Sequence, residues 1–316
     1  MRVSDQLRHS TYLADLNKRL ENLYRLQQEL STGRRLRVPS DDPTEASRAL
    51  RLEECLKRQD QFLRNIENAQ SWTNFADARL QEIVELITEI DSLAVRADND
   101  DQTEQDRQAA ALEIDQKLEQ LWGLANSRFN DRFVFGGWQT LSTPFADERD
   151  VDGRIISVSA NAATIGGEIY RQIGEDERLR VNMPGNLLFQ PVGSQGTDDD
   201  LFYVVIELRN TIANNNTPPE GYEETRSNPY LREQLAQIRE RFTEQQAYLG
   251  SLGQRLQDTT GRLLDYKITL TDALEKAEGV DITDIATRIA TEEYAYQAML
   301  SLGAHMFTKS LVDFLS

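Results

Sequence analysis

The chain has 316 residues, 39% hydrophobic and 28% charged, room for about two or three domains of ordinary size. Its formal net charge is −18 and unevenly spread: residues 1–60 hold 12 Lys+Arg against 10 Asp+Glu, the remaining 256 hold 23 against 43. That acidity argues against a nucleic-acid partner, the single cysteine, Cys55, excludes an internal disulfide, and two histidines near opposite ends, His9 and His305, argue against a multi-histidine metal site.

No run approaches the ~18–20 apolar residues of a membrane span. The first thirty residues lack an uninterrupted apolar core and a small-residue cleavage site, so no Sec-type signal peptide is expected. The spacing predicts a first helix from about Asp5 to Ser31. Its stripe is Leu13, Leu16, Leu20, Leu23, Gln27 and Leu30, in steps of three and four that fall on one face. Gly33 fits a C-terminal cap. Pro39 breaks the helix; Ser40, Asp41 or Asp42 can cap the next, with Pro43 in its first turn.

A long second helix is expected from Pro43 to about Arg96. Ile66, Ala69, Thr73, Ala76, Leu80, Ile83, Ile87, Ile90 and Ala94 keep an unbroken apolar alternation. Asp98-Asn99-Asp100-Asp101 ends it. A shorter helix follows, with Ala111, Ile114, Leu118, Leu121 and Ala125 as its face. At Phe129 the texture changes to aromatic and β-branched residues among turn glycines. Asp152-Gly153 can turn a hairpin into 154–158, and 168–173 and 179–181 read as further strands of about five residues. Residues 201–213 read as a helix and 214–221 as a loop.

The third long segment is the cleanest. Leu231, Leu235, Ile238, Phe242, Gln245, Leu249, Leu252, Leu256, Thr259, Leu263, Tyr266, Leu270, Ala273 and Ala277 hold heptad spacing throughout. Gly250, Gly253 and Gly261 fall off the seam, where they cost helix propensity but permit another backbone to approach. Asp281 to Asp284 can cap a last helix with the stripe Tyr296, Leu300, Gly303, Phe307, Leu311 and Phe314.

The expected fold is mainly α: long antiparallel coiled-coil rods, paired N- and C-terminal helices, and a small β-rich insert in the middle. Three domains are expected: a terminal coiled coil of 1–38 and 285–316, a helical rod of 39–128 and 222–284, and a β-rich centre, 129–221, with one short helix. A lone amphipathic helix cannot bury its stripe, so each end needs a partner. This points to an assembly protein. Catalytic patterns are absent: no phosphate loop and no G-x-S-x-G elbow. The acid pairs Glu53-Glu54, Glu223-Glu224 and Glu292-Glu293 read as solvated faces. Asp198-Asp199-Asp200 reads as a helix N-terminal cluster. No enzyme activity, cofactor or metal is expected.

Several motifs together carry a resemblance. Met1-Arg2-Val3-Ser4, Leu30-Ser31-Thr32-Gly33-Arg34-Arg35-Leu36 and Pro39-Ser40-Asp41-Asp42-Pro43 resemble the start of flagellin-like proteins. The two prolines around Ser-Asp-Asp are closer to the hook-associated members. Arg132-Phe133-Val134-Phe135-Gly136-Gly137, Thr143-Pro144-Phe145, Val181-Asn182-Met183-Pro184-Gly185 and Leu188-Phe189 are similar to the centre of those members. Ile285-Ala286, Tyr296-Gln297-Ala298 and Ser310 to Leu315 are similar to their C-terminal helix.

The resemblance implies a structural junction protein of the bacterial flagellum, a ring of subunits between hook and filament. It implies type III export with an uncleaved N-terminus and an extracellular location. The implied partners are further copies of the chain, the hook-associated protein FlgK on the hook side, flagellin on the filament side, and an export chaperone of FlgN type at the C-terminal helix. The expected subunit-interface residues are Leu13, Leu16, Leu20, Leu23, Leu30, Ile285, Ile289, Tyr296, Leu300, Phe307, Leu311 and Phe314. Other readings are a filament or minor flagellin of the same fold, a surface enzyme with a catalytic insert, and a cytoplasmic coiled-coil scaffold.

Overall fold

The computed structural model describes residues 2–36, 38–99, 101–161, 165–218, 221 and 225–315, with side chains for residue 7 and for 10–304 among them. Glu223 and Glu224 lie outside the described residues. Six α-helices dominate: α1 (Arg2–Thr32), α2 (Pro43–Ala97), α3 (Glu104–Ala125), α4 (Leu201–Ala213), α5 (Asn228–Glu278) and α6 (Ile282–Leu315). Between α3 and α4 lie six short strands: β1 (Arg128–Phe129), β2 (Arg132–Phe133), β3 (Phe145–Arg149), β4 (Ile155–Ala160), β5 (Tyr170–Gln172) and β6 (Arg178–Arg180). The fold is therefore mainly α with small antiparallel sheets, as the periodicity implies.

The caps explain the helix boundaries. Asp42 Oδ1 accepts from the backbone N–H of Thr44 and Glu45, starting α2 behind Pro43. Thr103 and Asp106 form a reciprocal capping box on α3. Asp281 Oδ1 accepts from Thr283 and Asp284 N–H and starts α6. Gly33, with φ of +68°, ends α1.

The chain divides into two compact units, residues 1–58 with 265–316 and residues 59–264. In the larger unit every residue of the predicted α2 stripe from Ile66 to Ala94 is buried, as is the whole predicted α3 face. Leu231, Leu235, Ile238, Phe242, Leu249, Leu252, Leu256 and Thr259 of α5 are buried too. Arg232 Nε reaches Asp91 at 2.9 Å and Asn228 Nδ2 donates to Ala94 O at 3.1 Å. Moving forward along α5 thus moves backward along α2, the antiparallel pairing expected of the rods. The segment at 214–216 does more than connect. Asn216, at φ of +59°, donates to Ala97 O at 2.9 Å and, with Arg107 Nε, satisfies the last carbonyl of α2.

The insert is leaner in strand than its sequence texture predicts. Among the described residues it holds three separate two-stranded sheets. The 132–138 segment contributes only Arg132 and Phe133, its Phe133, Val134 and Phe135 being held by core burial, and 168–173 contributes only the three exposed residues of β5. The Asp152-Gly153 hairpin is present: β3 pairs with β4, and Asp150 Oδ1 accepts from Asp152 and Arg154 N–H across the turn. Phe135, Phe145 and Phe189 of the insert meet Phe202 and Phe242 of the helices, with ring centroids 5.0 to 5.9 Å apart. Insert and rods share one core.

In the smaller unit α1 and α6 pair antiparallel. Tyr12 lies beside Met299, Arg19 beside Glu292, and Arg34 forms a β-bridge with Gly279. Arg35 N donates to Glu278 O at 2.6 Å, and the Arg34 guanidinium sits 3.2 Å from Glu278 and 3.6 Å from Glu53. The predicted seam residue Tyr266 is about half exposed here, so the α5 stripe loosens towards its end.

Candidate assembly surface

The α1–α6 pair is where the predicted site residues fall. Tyr12 Oη donates to Met299 O at 2.5 Å. Its ring covers Gly303, where a Cβ would come within 2.2 Å of the Tyr12 oxygen, so glycine permits this approach. Arg19 Nη1 reaches Glu292 at 3.0 Å. Leu26 and Ile285 are buried, and Leu16, Leu20, Leu23, Ile289 and Tyr296 are half-buried.

The remaining predicted residues divide. Leu13 (51% exposed), Leu30 (39%) and Leu300 (45%) remain exposed in the single chain. Phe307, Leu311 and Phe314 lie on α6 beyond the residues whose side chains are described. Sequence reasoning missed Tyr12, Leu26 and Met299. The signal was present: Tyr12, Leu16, Arg19, Leu23 and Leu26 form a second four–three stepping that shares Leu16 and Leu23 with the predicted one. Arg19 hid it, because a charge on a seam reads as a surface residue.

α1 therefore carries two overlapping faces. One packs on α6. The other, with Leu13 and Tyr24, is open in the single chain, and Leu30 on α1 and Ile282, Tyr294, Leu300 and Leu302 on α6 are exposed too.

Among the described residues the acidic clusters serve the fold. Asp198, Asp199 and Asp200 are spent on structure. Tyr230 Oη donates to Asp198 at 2.7 Å, and Asp199 O accepts from Arg241. Asp200 caps α4, accepting from Phe202, Tyr203 and Gly196 N–H and from Gln190 Nε2. Burial pushes the Asp200 carboxyl above its ordinary value, and these hydrogen bonds oppose the shift. Among the described residues no group of three or more His, Cys, Asp or Glu could hold a metal, and no helix is long and apolar enough to cross a membrane.

Comparison with known proteins agrees with this arrangement. Residues 3–140 match the bacterial flagellin N-terminal helical region. Flagellar hook-associated protein 3 of Salmonella typhimurium is 26% identical over 230 residues, 70% of this chain and 68% of that protein. The protein of the same name from Escherichia coli is 27% identical over 195 residues, 61% of this chain and 58% of the relative. Among solved structures, a putative flagellar hook-associated protein from Vibrio parahaemolyticus shares the fold. It has a TM-score of 0.62 and 16% identity, and the match spans 76% of this chain and all of that one. These relatives are structural flagellar proteins, not enzymes. The chain is similar over residues 3–140 to the flagellin N-terminal helical region and over most of its length to hook-associated protein 3 (FlgL) relatives, which supports a structural role in the bacterial flagellum.

Proposed function

We propose that this chain is a hook–filament junction protein whose subunits form a ring after export in the unfolded state. The observation that carries the reading is that Leu13 and Tyr24 of α1 and Ile282, Tyr294 and Leu300 of α6 stay exposed while Leu26 and Ile285 are packed. A helix pair with such exposed residues gains stability by meeting a neighbour, at roughly 25 cal/mol for each Å² of apolar surface covered. On this reading Leu13, Leu30 and Leu300 meet adjacent subunits. Leu16, Leu20, Leu23, Ile285, Ile289 and Tyr296 shape the pair that presents them. Phe307, Leu311 and Phe314 are proposed as further subunit-interface residues.

The division of labour follows: 1–38 and 285–316 polymerise, 39–128 and 222–284 form the rod, and 129–221 faces outward. FlgK adjoins on the hook side and flagellin on the filament side. A FlgN-type chaperone holds α6 before export through the type III route, and the protein works outside the cell. A chain with a single cysteine suits passage as an extended polypeptide.

Flagellar assembly in a strain lacking the gene tests the reading. Hooks without filaments, with flagellin shed into the medium, are expected. Normal filaments would overturn the junction role and leave a minor flagellin of the same fold.

A further inference from the structure

The larger unit holds a cleft that the assembly role does not use. Its volume is about 370 Å³, within the range of small-ligand sites. Asn65, Asn68 and Trp72 line it from one face of α2. Phe129, Asn130 and Arg132 come from the β1–β2 hairpin, where Asn130 and Asp131 hold φ of 49° and 61°. Arg171 of β5 and Thr140 also contribute.

Three features set the cleft apart. First, no Asp or Glu lines it, although the chain carries 53 acids against 35 Lys and Arg. Second, its two guanidinium groups are uncommitted. Among the described residues neither Arg132 nor Arg171 meets a carboxylate, and Arg132 donates only to Thr140 Oγ1, at 3.3 Å. Third, the indole N–H of Trp72 is buried without an acceptor. A buried donor left unmade is costly, so the Trp72 ring offers the cleft its apolar surface and not its N–H.

The chemistry of the wall narrows the ligand. Two arginines without acids nearby favour a carboxylate, which a guanidinium can grip with two parallel hydrogen bonds. Asn130 and the free carbonyl oxygen of Asn68 add groups that donate to or accept from hydroxyls. Trp72 and Phe129 meet edge to face, centroids 6.0 Å apart, and supply an apolar wall for the C–H face of a sugar ring. No helix N-terminus opens onto the cleft, since its α2 residues lie mid-helix, so the usual phosphate device is missing.

We propose that this cleft binds an acidic saccharide, a uronic-acid unit. Its carboxylate is held by Arg132 and Arg171, its hydroxyls by Asn68 and Asn130, and its C–H face lies on the rings of Trp72 and Phe129.

Titration of the full chain with digalacturonate, followed by the NMR signal of the Trp72 indole N–H, tests this. That signal is assigned by its loss in Trp72→Phe. A saturable shift is expected with Kd of about 1 mM. The double variant R132Q/R171Q, checked for an unchanged circular dichroism spectrum, is expected to weaken binding at least roughly tenfold, and neutral cellobiose to bind roughly tenfold more weakly. The proposal is overturned by any of three results: no saturable shift, equal binding of cellobiose, or equal displacement by inorganic phosphate. The last would mark a plain anion site.

Discussion

At the scale of single residues, the buried polar groups hold the central region together. Arg209 of α4 is buried, pairs with Asp115 of α3, and donates to Ile155 O of β4 at 2.9 Å. One guanidinium thus joins two helices and a strand. Removing it strands the carboxylate of Asp115 in a half-buried position, so Arg209→Ala is expected to cost about 3 kcal/mol in urea unfolding. A cost below about 0.5 kcal/mol would show that the pair is bystander geometry. Asp200 gives a pH signature. Its carboxyl titrates above the ordinary aspartate value, so the folded state holds a proton that the unfolded state has released. Its contribution is complete below the unfolded pKa and is lost as pH rises through the raised folded one. The stability of the wild type relative to Asp200→Asn should therefore fall as pH rises across that window. A difference that grows with pH would contradict the assignment.

Among elements, helices α1 and α5 make the clearest predictions. Gly303 and Tyr12 interlock, and a methyl at 303 displaces the Tyr12 oxygen from Met299 O. Gly303→Ala should weaken the α1–α6 pair by about 1 kcal/mol, and the loss should largely vanish in a Tyr12→Ala background, as a double-mutant cycle would measure. Gly250 and Gly261 are different. A Cβ at either meets nothing within 4 Å, so the expected approach of another backbone does not occur within the chain. Each is a glycine in a helix interior, and Gly→Ala at either should stabilise the monomer by about 0.5–1 kcal/mol. If either substitution blocks assembly while stabilising the monomer, a neighbouring subunit approaches there.

For the whole molecule, the two units differ in how much they bury. The larger one encloses a continuous core from Ile66 to Leu256, whereas the described part of the α1–α6 pair buries little beyond Leu26 and Ile285. Ordering a residue costs about 1–2 kcal/mol of entropy, which half-buried leucines barely offset. In a dilute monomer amide exchange should be fast across residues 5–30 and slow across 66–94. Equal protection would mean that the terminal pair is stable without neighbours. Deleting residues 286–316 should leave the larger unit folded and abolish polymerisation; a truncated protein that still joins filament to hook would remove the terminal helices from the assembly reading.

Much of this was legible without coordinates. The α2, α3 and α5 stripes are local facts: a three–four alternation puts apolar side chains on one face, and burial follows. Asp42, Asp281 and Gly33 declare helix ends because caps act within a few residues. Flagellin-like motifs at both ends and in the centre were equally readable. What the tertiary structure decided is everything that depends on partners distant in sequence. Leu16 and Leu23 belong to two overlapping stripes, and only the position of α6 selects the one containing Tyr12 and Leu26 over the one containing Leu13 and Gln27. Strand lengths in the insert depend on its phenylalanines meeting Phe202 and Phe242. The acid-free cleft exists because Trp72, Arg132 and Arg171, far apart in the chain, converge. Periodicity is written in neighbours three and four residues apart; the choice between equally periodic faces is an energy of contact with the rest of the molecule.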